Sequence, residues 1–156
     1  MAFSISITKN LIPQVRVAII DKAEDAVRDA AHYGRDYTRS IAPVRTGALR
    51  ESFYVNGPNQ ETDYVFAAGK AKALNPSAHI VPELRAAIVD PKVGQLRDQA
   101  TGRFTFPQTI VSSAVEYSLY IEEGTVFMAP RPILRQGTLA AEAKFKSDMR
   151  KVADGY

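Results

Sequence analysis

Few side chains in this sequence stand at the spacings that chemistry requires. Histidine occurs twice, at His32 and His79, and cysteine does not occur. A zinc site needs three or four nitrogen, oxygen or sulfur ligands. Neither histidine has a histidine partner at helical spacing, so no metal is expected, with His32 on a helix surface and His79 in a loop. A serine triad would need one of these histidines beside a serine and a carboxylate, and no Gly-x-Ser-x-Gly elbow is present. Glu122 and Glu123 are adjacent, so on a helix their side chains diverge, whereas a paired acid and base must flank one bond. Walker and dinucleotide glycine patterns are absent. The chain is therefore not expected to be an enzyme or to carry a cofactor. A small hydrolase is the least supported reading.

The remaining candidate chemistry is electrostatic. Arg131, Arg135, Lys144, Lys146, Arg150 and Lys151 gather near the C-terminus, and phosphate binding would use such a stripe. The plainer reading is the solvent face of a last helix, with cations near its C-terminal end favoured by the macrodipole. The net charge is only +3. Its distribution is uneven: residues 1–50 carry eight Lys/Arg and five Asp/Glu, residues 51–127 six and nine, and residues 128–156 six and three. Basic ends and an acidic middle suit charge pairing between subunits as well as ordinary solvated surface.

The elements that would position these groups follow from periodicity. The 156 residues are 46% hydrophobic and 24% charged, which fits one ordinary globular domain. The first ten residues have no long apolar run and do not resemble a signal peptide. No stretch of about 18 apolar residues occurs, so no membrane span is expected. A long helix is predicted over residues 10–41. Leu11, Val15, Ala18, Ile19, Ala23, Ala26, Ala30, Tyr33, Tyr37 and Ile41 recur at three- and four-residue steps. Asn10 would cap it, Pro13 would sit in its first turn, and Gly34 would weaken it locally. Ala42-Pro43 should end it, because a residue before proline avoids the α region.

Residues 44–52 read as a turn and one helical turn capped by Thr46. Residues 53–55 and 64–68 read as strands. Residues 70–106 read as an insertion, an extended arm or hairpin, because compact domains rarely need so long a structureless stretch. Within it, residues 82–89 suggest a short helix and residues 100–103 a hairpin tip. Residues 109–115 alternate as a strand, and residues 117–123 form a helical turn stopped by Gly124. Residues 133–152 form an amphipathic helix with Leu134, Leu139, Ala143, Phe145, Met149 and Val152 on its apolar side. Strands grouped between terminal helices indicate an α+β domain: a long N-terminal helix, a small antiparallel sheet with an inserted loop or hairpin, and a C-terminal helix packed on the sheet.

Two stretches carry more specific information. The first runs Ala42-Pro43-Val44-Arg45-Thr46-Gly47-Ala48-Leu49-Arg50-Glu51-Ser52-Phe53. The second runs Tyr117-Ser118-Leu119-Tyr120-Ile121-Glu122-Glu123-Gly124-Thr125, followed by Met128-Ala129-Pro130-Arg131-Pro132-Ile133-Leu134. Together, in this order and between two helices, they resemble the tail-completion or neck family of lambda-like siphophages. That family shows a long first helix and Pro-Val-x-Thr-Gly-x-Leu-Arg-x-Ser, then Tyr-Ala-x-Tyr-(Val/Ile)-Glu-x-Gly-Thr, then Arg-Pro-(Phe/Ile)-Leu. The likeness covers roughly residues 10–68 and 108–153 and leaves out residues 70–106. Ser118 departs from the usual alanine, a small-for-small exchange.

The resemblance implies a structural role. The protein would be made in the host bacterial cytoplasm and end in the virion neck. There it would complete the tail's upper end as part of a sixfold ring and help join it to the DNA-filled head. Its partners would be copies of itself, a head-closure connector, and a tail terminator or tail tube protein, with non-specific contact to DNA in the channel. Other readings are a tail terminator or head-closure connector and, from another class, a nucleic-acid-binding module. The motif residues have physical roles independent of that likeness. Pro43 stops a helix. Thr46 caps a turn, and Gly47 takes a conformation closed to other residues. Leu49 anchors the core, Arg50 follows it, and Tyr117 and Tyr120 offer apolar bodies with polar tips. Gly124 ends a turn before Thr125. Arg131, stiffened by Pro130 and Pro132, has Glu122 or Glu123 as pairing partners, within one chain or across an interface.

Overall fold

A computed structural model describes residues 12–57, 62–83 and 109–155. Its elements run in the order α1 (Ile12–Ile41), α2 (Ala48–Ser52), β1 (Phe53–Asn56), α3 (Tyr64–Leu74), β2 (Ile110–Ser113), α4 (Tyr117–Glu123) and α5 (Ile133–Asp154). The chain is thus α+β, with a long first helix, a two-stranded antiparallel sheet and a C-terminal helix. Among the described residues, no helix is long and apolar enough to cross a membrane. Asn10, Leu11, residues 84–108 and the expected hairpin tip at 100–103 lie outside the described residues, as does most of the short helix expected over 82–89.

The long helix α1 stops where Pro43 requires it, with the Ala42 N–H still donating to Thr38 O at 3.0 Å. Its inner face is made of small residues. Ala23, Ala26, Ala30, Ala31 and Thr38 are buried, while Ile19, Tyr33 and Tyr37 keep 38–47% of their surface exposed. The expectation that both tyrosines mark the core side is corrected for a steric reason, because α5 lies too close to α1 to admit large side chains. A Cβ built on Gly34 would stand 2.8 Å from Ala141 Cβ, and one on Gly137 would stand 1.9 Å from Thr38 Oγ1. These pairings run in opposite directions along the two helices, so α1 and α5 are antiparallel. Gly34 is therefore the point of closest approach between helices. On α5, Ile133 and Gly137 are buried, whereas Leu139 is 58% exposed and faces away from α1. The C-terminal helix touches β2 but packs chiefly along α1.

The sheet pairs Phe53 with Ser113 and Asn56 with Ile110 in antiparallel register. It is prolonged by an isolated bridge between Ile80 and Val115, with the Val81 N–H donating to Ala114 O at 2.9 Å. Residues 64–68, read as a strand from their apolar run, instead open helix α3. A short apolar run does not distinguish strand from buried helix. The deciding features are the alanine-rich continuation through Leu74 and the burial of Ala67 and Ala71 on one face. Alanine is the best helix former. Helix α3 also takes up the start of the stretch read as an insertion. It is pinned by Asp63, which accepts Arg35 Nη1 at 2.6 Å and the Val55 N–H at 2.7 Å. Burial works against the Arg35 charge, yet Asp36 and Asp63 outweigh it and hold its pKa above the ordinary value.

The main core joins both ends of the chain. Ala42, Leu49, Phe53, Ala71, Val115 and Ile133 form one buried cluster, with Ile41, Tyr117, Ile121 and Leu134 packed against it. A smaller cluster holds Tyr54, Ala67 and Ala114. There the Tyr54 and Tyr64 rings meet edge to face at 5.1 Å, a preferred aromatic geometry.

Candidate functional site

The two motif stretches, more than sixty residues apart, meet on one surface. After α1, Thr46 Oγ1 accepts the Ala48 N–H at 3.3 Å. Gly47 at φ 80° turns the chain into α2. That left-handed conformation is costly for residues with a Cβ. The turn sends Leu49 inward, where it is 4% exposed. On the other side, Tyr117 and Ile121 lie one turn apart on α4 and pack onto the same core. Between them runs a groove of about 640 Å³. The first motif lines it with Pro43, Arg45, Thr46, Gly47 and Leu49, and the second with Tyr117, Ile121 and Met128. Asn75, just past α3, completes the lining. Burial pushes the Tyr117 hydroxyl above its ordinary pKa, so it stays a neutral donor at physiological pH.

Beyond α4 the chain makes a tight hairpin. Gly124 adopts φ 78°, and a Cβ there would lie 2.7 Å from Pro130 N and 2.8 Å from Met128 O. Only glycine fits without displacement. The Thr125 N–H donates to Met128 O at 2.8 Å, and the Met128 N–H donates back to Thr125 O at 3.2 Å. At the tip Val126 is 96% and Phe127 99% exposed. The chain then returns along α4, where the Arg131 N–H donates to Ile121 O at 2.7 Å.

Glu122 has a different partner from the one its spacing to Arg131 suggested. Its carboxylate accepts the Leu134 N–H at 2.9 Å and the Arg135 N–H at 3.0 Å. It therefore satisfies two free donors at the N-terminus of α5, where negative charge is favoured by the helix dipole. Pro132 precedes that terminus. Among the described residues the Arg131 guanidinium pairs with neither Glu122 nor Glu123. Within one chain the expected pair is replaced by the cap.

The sequence-marked residues thus fall into groups. Pro43, Thr46, Gly47, Leu49 and Tyr117 line the groove. Gly124 and Thr125 build the hairpin, and Glu122, Arg131 and Pro132 form the passage into α5. Tyr120 is 49% exposed, and Arg50 is exposed beside Glu51; neither lines the groove. Sequence reasoning missed Ile121, Asn75 and the groove-facing role of Arg45. The four-residue spacing of Tyr117 and Ile121 was the one available signal. His79 Nδ1 lies 2.9 Å from Glu116 Oε2 on the surface. Among the described residues no cluster of three or more His, Asp or Glu could hold a metal.

The three lysines of α5 are paired along the helix itself. Lys146 pairs with Glu142, while Lys144 and Lys151 both pair with Asp148. Those lysines hold the Glu142 and Asp148 carboxyls below their ordinary pKa. No family model, curated protein or solved structure matches this chain.

Proposed function

We propose that this protein is a structural component of the head–tail neck of a long-tailed phage. It would complete the upper end of the tail and join it to the filled head as part of a ring. The observation that carries this reading is the convergence of the Pro43–Phe53 and Tyr117–Leu134 stretches on one groove and one braced hairpin. Their residues serve turns, caps and packing: Gly47 and Gly124 set backbone direction, Leu49 fills the core, and Glu122 caps α5. A ring subunit needs such rigid, shape-bearing surfaces, because a heterologous contact joins two different faces of one chain.

The test is an early stop codon in the gene, within its phage, with lysates viewed by negative-stain electron microscopy. Full heads and separate tails, joined again on adding purified protein, are the expected result. Normal infectious particles would overturn the proposal. The nucleic-acid reading is weakened by the paired lysines of α5. It requires duplex binding that falls steeply with salt, and negligible affinity at low salt would remove it.

A further inference from the structure

The hairpin tip and the groove are complementary parts of one chain. Tight turns are usually built from Gly, Asn, Asp, Ser or Pro, which tolerate the geometry and the solvent. Here the two tip positions are Val126 and Phe127, and both are almost fully exposed. The tip is not a loose loop. It is closed by the mutual bonds of Thr125 and Met128. The Thr125 hydroxyl accepts the Phe127 N–H at 3.2 Å, and the base is wedged against Pro130 at Gly124. A rigid, exposed aromatic anchor loses little freedom on docking, which is why aromatic residues dominate binding hot spots.

The groove presents the matching surface. Pro43, Leu49, Tyr117 and Ile121 give it apolar walls, and Arg45 stands at its rim. Arg45 is exposed and makes no ion pair among the described residues; Glu123, at the base of the hairpin, is likewise exposed and unpaired among them. The hairpin does not fill its own groove. Met128 already lines that groove, while Val126 and Phe127 stay in solvent at the far end of the turn. We infer that the occupant is a second copy of this chain: the Val126–Phe127 tip of one subunit seats in the Pro43–Leu49–Tyr117 groove of another, with Glu123 meeting Arg45. The contact rests on the self-assembly part of the proposed function and not on its place in a virion.

The absence of cysteine from the sequence makes the test clean. Val126→Cys and Thr46→Cys are made as separate single variants, mixed at high concentration and mildly oxidised, and the disulfides are read by mass spectrometry. The mixed 126–46 disulfide should predominate over both homodisulfides. Arg45→Glu on the Thr46→Cys chain should abolish it, and Glu123→Arg on the Val126→Cys chain should restore it. Phe127→Ala should also abolish it, with the circular dichroism spectrum and melting curve unchanged because Phe127 is almost fully exposed and its backbone N–H bond to Thr125 survives the substitution. No excess of the mixed product, or an excess indifferent to Arg45→Glu, would overturn the inference. A mixed disulfide beside normal particles in the stop-codon phage would keep this contact and remove the neck assignment. Separate heads and tails without the disulfide would do the reverse.

Discussion

Replacing Gly137 by alanine sets two effects of opposite sign against each other. Alanine is favoured over glycine inside a helix by about 1 kcal/mol, so on propensity alone α5 should gain. The structure opposes this, because the new Cβ would stand 1.9 Å from Thr38 Oγ1, 2.9 Å from Gly34 O and 3.2 Å from Thr38 Cβ. Thr38 is fully buried, and its hydroxyl donates to Gly34 O at 2.8 Å. Turning Thr38 aside would strand a buried hydroxyl, at about 1–3 kcal/mol. Moving α5 away from α1 instead incurs the usual overpacking cost of about 1–3 kcal/mol. The Gly34 carbonyl stays close whichever way Thr38 turns, so part of each cost is expected. Taking about 2 kcal/mol for the two shares together and subtracting the propensity gain leaves a net loss of about 1 kcal/mol. With a urea m-value of about 2 kcal/mol/M for a chain of this size, the unfolding midpoint should fall by roughly 0.5 M. Thr38→Ala removes the nearest atom, so the double variant should lose less than the sum of the singles, with a coupling of about 1 kcal/mol or more. An unchanged or raised midpoint for Gly137→Ala would refute the close helix crossing.

Three further outcomes follow from the second motif. Glu122→Ala should destabilise by about 1–2 kcal/mol by removing the cap of α5; Glu122→Gln should cost less, since its amide oxygen still accepts, and thermal melts of both variants check this. Gly124→Ala combines a positive φ at extended ψ, a region open essentially to glycine and costing about 1–3 kcal/mol, with contact against Pro130, and should speed amide exchange at Thr125 and Met128. Tyr117 has its pKa raised by burial, so the stability it confers is complete below the ordinary tyrosine value of about 10 and is lost as pH rises through the folded value. Tyr117→Phe should therefore flatten the alkaline stability profile above about pH 10. Burial of Tyr64 acts in the same direction, so only part of the slope should disappear.

How much of this was legible depended on whether the signal was local. Pro43 ended α1, and Gly47 and Gly124 took positive φ, because backbone sterics act within a residue or two. Leu49 proved to be a core residue, and Phe53 lies buried beside it in the same cluster. Residues 64–68 misled because Val65 and Phe66 resemble strand residues but remain exposed, while the helix is decided by the alanines behind them. Tyr33, Tyr37 and Leu139 fit the helical period yet lie off the buried faces, because the crossing at Gly34 and Gly137 admits small groups alone. That preference exists in neither helix separately. The Glu122 cap was equally hidden, since its donors belong to another element. The groove was foreshadowed by the two motifs and by the four-residue spacing of Tyr117 and Ile121, but no spacing names Asn75.

The antiparallel pairing of α1 with α5 also has a consequence in time. Its two partners lie at opposite ends of the described chain, so the small-residue face of α1 has no partner until the last helix has been made. At roughly 5–20 residues per second of synthesis, the interval from Ile41 to Ile133 is about 5–20 s. Closing so long a loop is slow compared with forming either helix alone. A nascent chain therefore carries an uncovered alanine stripe for seconds, and stalling or truncation before α5 should turn a folding protein into a client of chaperones or proteases.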